Sequence, residues 1–195
     1  MKNALKSVRI PSVFVSAMLV FTVAACTDTT SGSADPRVSV PGDPSASSAR
    51  NGGEERSAVA SIEPCALLSV DDLTDYESMK NGRPYQGSGS RSCAWKKEIT
   101  PDSLDSLGIS LDVRDTQTVR SLKDMGNGVR TGTVNGRASA IARNPDTGDC
   151  TLAMKLGESS RFDVGITGPT DPKESCRVAQ EVAYIVEPRL PDVPS

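Results

Sequence analysis

The residues with the clearest chemistry are five cysteines: Cys26, Cys65, Cys93, Cys150 and Cys176. Cys26 follows Val23-Ala24-Ala25 at the end of a short apolar run. Small residues followed at once by cysteine form the pattern at which an exported precursor is cut and its new N-terminal cysteine acylated. Cys26 is therefore read as the lipidation residue. It also accounts for the odd cysteine count, leaving an even set of four for an oxidising compartment, where two disulfides are the default. No CxxC spacing is present, so a metal or redox centre built from thiolates is disfavoured. The chain has no histidine, which removes Ser-His-Asp and Cys-His triads and the usual zinc sites.

Carboxylates are the remaining candidates for acid–base chemistry. Asp71, Asp72, Asp75 and Glu77 form the densest acidic run, but they surround one short helix start, where acids are expected for electrostatic reasons. A hydrolase or transferase working with carboxylates alone would need two of Asp71, Asp72, Asp112, Asp149 and Asp163 to face each other across a cleft. The acidic run lacks the alternation, central glycine and distal glutamate of a calcium loop. Gly126-Asn127-Gly128 and Gly132 are turn glycines with no phosphate-loop lysine behind them. Ser88, Ser90 and Ser92 have only Lys96 or Lys97 as conceivable activators. Tyr85 and Trp95 are candidates for a ligand cleft, although a lone tryptophan beside a cysteine on a strand reads as core. No metal or cofactor is implied.

Net charge is −3 for the whole chain. Without Met1–Ala25, which holds three basic and no acidic residues, 19 Lys+Arg face 25 Asp+Glu. That balance argues against nucleic acid, which needs a basic face, and against adhesion to an anionic bilayer by charge alone.

These residues sit on a simple order of elements. Residues 1–25 read as a lipoprotein signal peptide: Lys2, Lys6 and Arg9 precede an apolar run too short for a lasting membrane span. Residues 26–58 read as the lipidated cysteine and a disordered tether rich in Ser, Thr, Pro and Gly. One globular domain is expected over 59–191, with a tail at 192–195. Ser69 is placed to cap a short helix. Strands are expected around Cys93 and over Gly108–Arg114, then a helix over Thr116–Met125. Asn135-Gly136 predicts a hairpin between Val129–Val134 and Arg137–Ala142, and strands holding Cys150 and Phe162 follow as a second hairpin. Asp171, Pro172 and Glu174 announce a final helix with a capping-box pattern, stopped by Pro188, with Leu190-Pro191 tacking down the tail.

The pattern predicts an α+β fold: an antiparallel sheet of about five to six strands with two or three helices packed on one face. Cys150 faces inward on its strand and Cys176 faces inward on the last helix, so geometry favours Cys150–Cys176 and, with it, Cys65–Cys93. Each bridge closes a loop worth about 3 kcal/mol.

Glu63-Pro64-Cys65-Ala66-Leu67-Leu68, Ser92-Cys93-Ala94-Trp95, Cys150, and Ser175-Cys176-Arg177-Val178-Ala179 closing on Leu190-Pro191 resemble an actinobacterial lipoprotein family, the domain of unknown function 3558. Gly132–Ala138 is similar to its central hairpin. The resemblance covers roughly Ile62 to Pro191. It implies an exported, membrane-anchored, disulfide-bonded domain and carries no catalytic residue. The expectation is a non-catalytic binding or accessory module, held on the outer side of the cell membrane by the lipid on Cys26. Its partner is an envelope protein, glycan or lipid, and the rivals are the carboxylate enzyme and an accessory subunit of a transporter or signalling system.

Overall fold

Seven strands form one antiparallel sheet: β1 (Arg83–Gly87), β2 (Ser90–Lys96), β3 (Gly108–Arg114), β4 (Val129–Val134), β5 (Arg137–Arg143), β6 (Cys150–Lys155) and β7 (Arg161–Thr167). Their spatial order is β1-β2-β3-β7-β6-β5-β4. The computed structural model describes residues 45–76, 78–87, 89–101 and 106–192. Cys26, the stretch read as a signal peptide and the first part of the stretch read as a tether lie outside the described residues.

The core follows from strict alternation on the central strands. Ile109, Leu111 and Val113 of β3 stand opposite Ile166, Val164 and Phe162 of β7, and Leu152 and Met154 of β6 continue the same surface. All are buried. The helix α2 (Pro172–Val186) lies on this face and buries Cys176, Val178, Ala179, Val182, Ala183 and Val186. Its start is as the sequence predicts: Asp171 caps it, accepting from the Lys173 N–H at 2.9 Å, and Pro172 needs no donor at the first position. Glu174, however, pairs with Arg177 rather than reaching back to complete a capping box. The full capping box is at Ser69, whose hydroxyl accepts from Asp72 N–H while the Asp72 carboxylate accepts from Ser69 N–H.

Both disulfides form in the expected pairing. Cys150–Cys176 joins β6 to α2 and Cys65–Cys93 joins a short turn to β2. The Asn135-Gly136 hairpin forms with both residues at positive φ. Leu190 is buried, and Arg137 donates to the Pro191 carbonyl at 2.8 Å, fixing the tail.

Three expectations are corrected. A seventh strand, β1 (Arg83–Gly87), adds to the five to six expected. Pro84 is tolerated because β1 is an edge strand and need not donate on its outer side. Thr116–Met125 is not a helix. It holds one short turn, Val119–Ser121, because the Asp124 carboxylate takes the N–H groups of Gly126, Asn127 and Gly128 and Arg161 binds the Thr118 carbonyl. The helix α1 (Ser45–Ala60) begins inside the stretch read as tether and runs into the domain. Gly52-Gly53 weakens local propensity by about 1 kcal/mol per residue, so composition did not predict it. Docking of its end holds it: Val59 is buried, Arg91 donates to the Val59 and Ile62 carbonyls, and Glu55 accepts from Glu158 N–H at 2.9 Å.

Candidate functional site

The sheet face away from α2 is polar in its middle, which is unusual for a surface this well buried. One transverse row runs Tyr85, Ser92, Asp112, Asp163, Ala153, Ala140 and Thr131, each the register partner of the next. Asp112 is 6% exposed and Asp163 2%. The alternation that buries Leu111 and Val164 on one side places these carboxylates on the other.

Buried carboxylates require partners, and each has its own set. Asp112 Oδ1 accepts from Tyr85 Oη at 3.1 Å and from Ser92 Oγ at 2.5 Å, and Oδ2 accepts from Ser110 Oγ at 3.0 Å. Ser90 Oγ lies 2.8 Å from Ser92 Oγ and donates to the Gly87 carbonyl. Asp163 is held by Arg161 in a two-point contact (Nε to Oδ1 2.8 Å, Nη2 to Oδ2 3.1 Å) and by Arg114 Nε at 3.1 Å. Burial pushes the Asp163 carboxyl above its usual range while the two guanidiniums pull against it. Burial, then the charge of Asp112, pushes the Tyr85 phenol up, so Tyr85 stays a donor at physiological pH. Arg161 also donates to Thr118 O and Ser121 Oγ, which draws the 115–128 connection across this face.

Between that connection and β1 lies a cavity of about 300 Å³ whose wall includes Asp112, Arg114, Met125, Asp149, Thr151 and Asp163. A second chamber of about 330 Å³, bounded by Lys96 and Gly108, adjoins it. The two share Tyr85, Ser110, Gly165 and Thr167. Gly165 makes the floor: a Cβ there would stand 2.5 Å from Ser110 Oγ.

The carboxylates singled out in the sequence divide accordingly. Asp112, Asp149 and Asp163 come together. Asp72 does not: it binds Arg189 at 2.7 and 2.8 Å, and Asp71 is exposed. Asp75 borders a wider cleft of about 790 Å³ at the start of α2, with Tyr76, Lys97, Thr170, Glu174 and Arg177. There Arg177 makes exposed ion pairs with Glu174 and Glu181, of the kind that stabilise little. Trp95 is core, 1% exposed, whereas Tyr85 belongs to the cavity. Arg114, Arg161 and Thr151 were not singled out. The trace they leave is the polar alternation Ser110-x-Asp112-x-Arg114 and Arg161-x-Asp163.

Residues 21–189 match the family described as protein of unknown function (DUF3558). The chain belongs to this family. The match takes in both disulfides, every strand and the polar cavity, and its start at Phe21 places Cys26 within it. No curated protein and no solved structure gives a significant match. Among the described residues no helix is long and apolar enough to cross a membrane, and none of the acidic and cysteine side chains forms a group suited to a metal ion.

Proposed function

We propose that this DUF3558 protein is a lipid-anchored, extracytoplasmic, non-catalytic binding module whose ligand site is the polar cavity on the open sheet face. The observation that carries the reading is the state of the cavity carboxylates. Asp112 is held by three hydroxyls and Asp163 by two guanidiniums, so the site is preformed and its acids are occupied with holding it. Support for the anchor comes from the cysteines. Four of the five are consumed in two disulfides, and the fifth, Cys26, stands behind Val23-Ala24-Ala25 in the pattern for acylation. Actinobacterial origin and membrane attachment are part of this proposal.

Two experiments test it. Mass spectrometry of the N-terminal peptide from the membrane fraction is expected to find Cys26 acylated, and a free Cys26 thiol on the mature protein refutes the anchor. Adding solubilised envelope material to labelled protein is expected to shift backbone amides of Ser110, Gly165 and Thr167; unchanged spectra refute the binding site.

One observation favours a second reading, a carboxylate-dependent hydrolase or transferase: Asp112, Asp149 and Asp163 line the same cavity. It predicts turnover of an envelope substrate that Asp112→Asn abolishes while binding survives. Binding without turnover removes it.

A further inference from the structure

Resting on the binding-module reading, the geometry points to a neutral saccharide as the ligand class of the cavity, seated against Tyr85 and spanning both chambers. The first argument is the direction of the protons. Tyr85 and Ser110 each spend their single hydroxyl proton on Asp112, so toward the cavity they offer lone pairs. Asp112 itself uses three of about four acceptor positions, and its carboxylate forms part of the wall. The centre of the site therefore presents acceptors. Thr151 and Thr167 at the edges, whose hydroxyls both donate and accept, complete it. Sugar hydroxyls, which are donors and acceptors at close spacing, match that arrangement.

The second argument is charge. Asp112, Asp149 and Asp163 are offset by Arg114, Arg161 and Lys96, which lie in or directly behind the same walls. A ligand carrying phosphate, carboxylate or ammonium meets no matching excess, and an uncharged one suffers no penalty. The third is shape. Tyr85 is 43% exposed and borders both chambers, giving one flat ring surface beside the hydroxyl and carboxylate acceptors of the first chamber. Two adjoining chambers of similar size, about 300 and 330 Å³, suit two ring units of an oligosaccharide.

The test uses full-length ¹⁵N-labelled protein in a detergent without a sugar headgroup. The probes are neutral disaccharides (maltose, cellobiose, trehalose and N,N′-diacetylchitobiose), with glucuronic acid and glucosamine as charged comparators. A neutral probe is expected to shift the amides of Ser110, Gly165 and Thr167 saturably by the millimolar range. Tyr85→Phe is expected to weaken binding about threefold to tenfold through the lost hydroxyl, and Tyr85→Ala more, through the lost ring. Gly165→Ala, which fills the floor and displaces the Ser110 hydroxyl, is expected to weaken it independently of Tyr85. Trp95 fluorescence checks that each variant is folded.

The inference is overturned if no neutral probe shifts these amides, if the shifts fall outside the cavity, or if only the charged comparators bind. Envelope material that shifts the cavity amides while every neutral sugar fails defeats the saccharide inference and leaves the binding-module reading standing. If neither shifts them, both fall.

Discussion

Replacing Cys150 and Cys176 together by alanine removes the bridge between β6 and α2, and its cost can be worked from chain length. The cysteines are 26 residues apart, and loop-closure entropy for a loop of that size corresponds to about 3.5 kcal/mol at 25 °C. For a domain of this size that is a fall in melting temperature of about 7–14 °C. The native fold should survive, because α2 retains Val178, Val182 and Val186 fully buried against the sheet. Urea unfolding followed through Trp95, the single tryptophan and a buried one, measures the loss and should also give a larger m value, since the unfolded chain expands when the cross-link is gone. The matching pair Cys65→Ala/Cys93→Ala opens a loop of nearly equal span, 28 residues, and so should lose nearly the same free energy. The folded states should differ instead: amide exchange should quicken along α2 in the first variant and around Pro64–Leu68 in the second. A loss below about 1 kcal/mol with an unchanged m value would refute the unfolded-state account of the bridge.

Three further outcomes follow from other contacts. The hydrogen bonds of Arg189, then that of the Ser69 N–H, hold the Asp72 carboxyl well below its ordinary value of 3.8. The folded protein thus binds fewer protons there than the unfolded chain, and stability falls as pH drops below about 4. Asp72→Asn should flatten that part of a pH–stability curve, and an unchanged slope counts against the pair. Asp163→Asn removes the carboxylate that Arg114 and Arg161 bind, but burial already holds that carboxyl above its usual range and Arg161 keeps Thr118 O and Ser121 Oγ, so chemical denaturation should register a loss of about 1–3 kcal/mol; a much larger loss would mean the ion pair outweighs its burial. Gly157→Ala places a methyl group against the Glu55 carboxylate, which should swing away from Glu158 N–H. Hydrogen exchange in α1 should rise as much in Gly157→Ala as in Glu55→Ala, and no further in the double variant, because both break one contact.

Much of the fold was legible because its signals are local. Alternation in Gly108–Arg114 identified β3, Asn135-Gly136 identified a hairpin through its need for two positive φ values, and Asp171-Pro172 identified the start of α2. Inward placement of Cys150 and Cys176 then gave the disulfides. Where local signals were weak or contradictory the expectation failed. Thr116–Met125 has helical spacing, yet Arg161 claims the Thr118 carbonyl and Asp124 turns the chain by binding the N–H groups of Gly126, Asn127 and Gly128. Residues 45–58 have a tether's composition, yet Val59, Glu55 and Arg91 supply docking contacts that composition does not reveal.

The site divides along the same line. The sequence by itself determined the absence of histidine, the even set of four cysteines after Cys26 and the polar character of alternate positions on β3 and β7. Only the tertiary structure decided that β7 inserts between β3 and β6, which sets Asp112 opposite Asp163 and brings Tyr85, Ser110 and Gly165 to one cavity. The reason is range. Alternation within a strand depends on its own residues, whereas strand order depends on which distant strands bury the most apolar surface together. The partnership of Leu111 with Val164 on the core face places Asp112 and Asp163 side by side on the other.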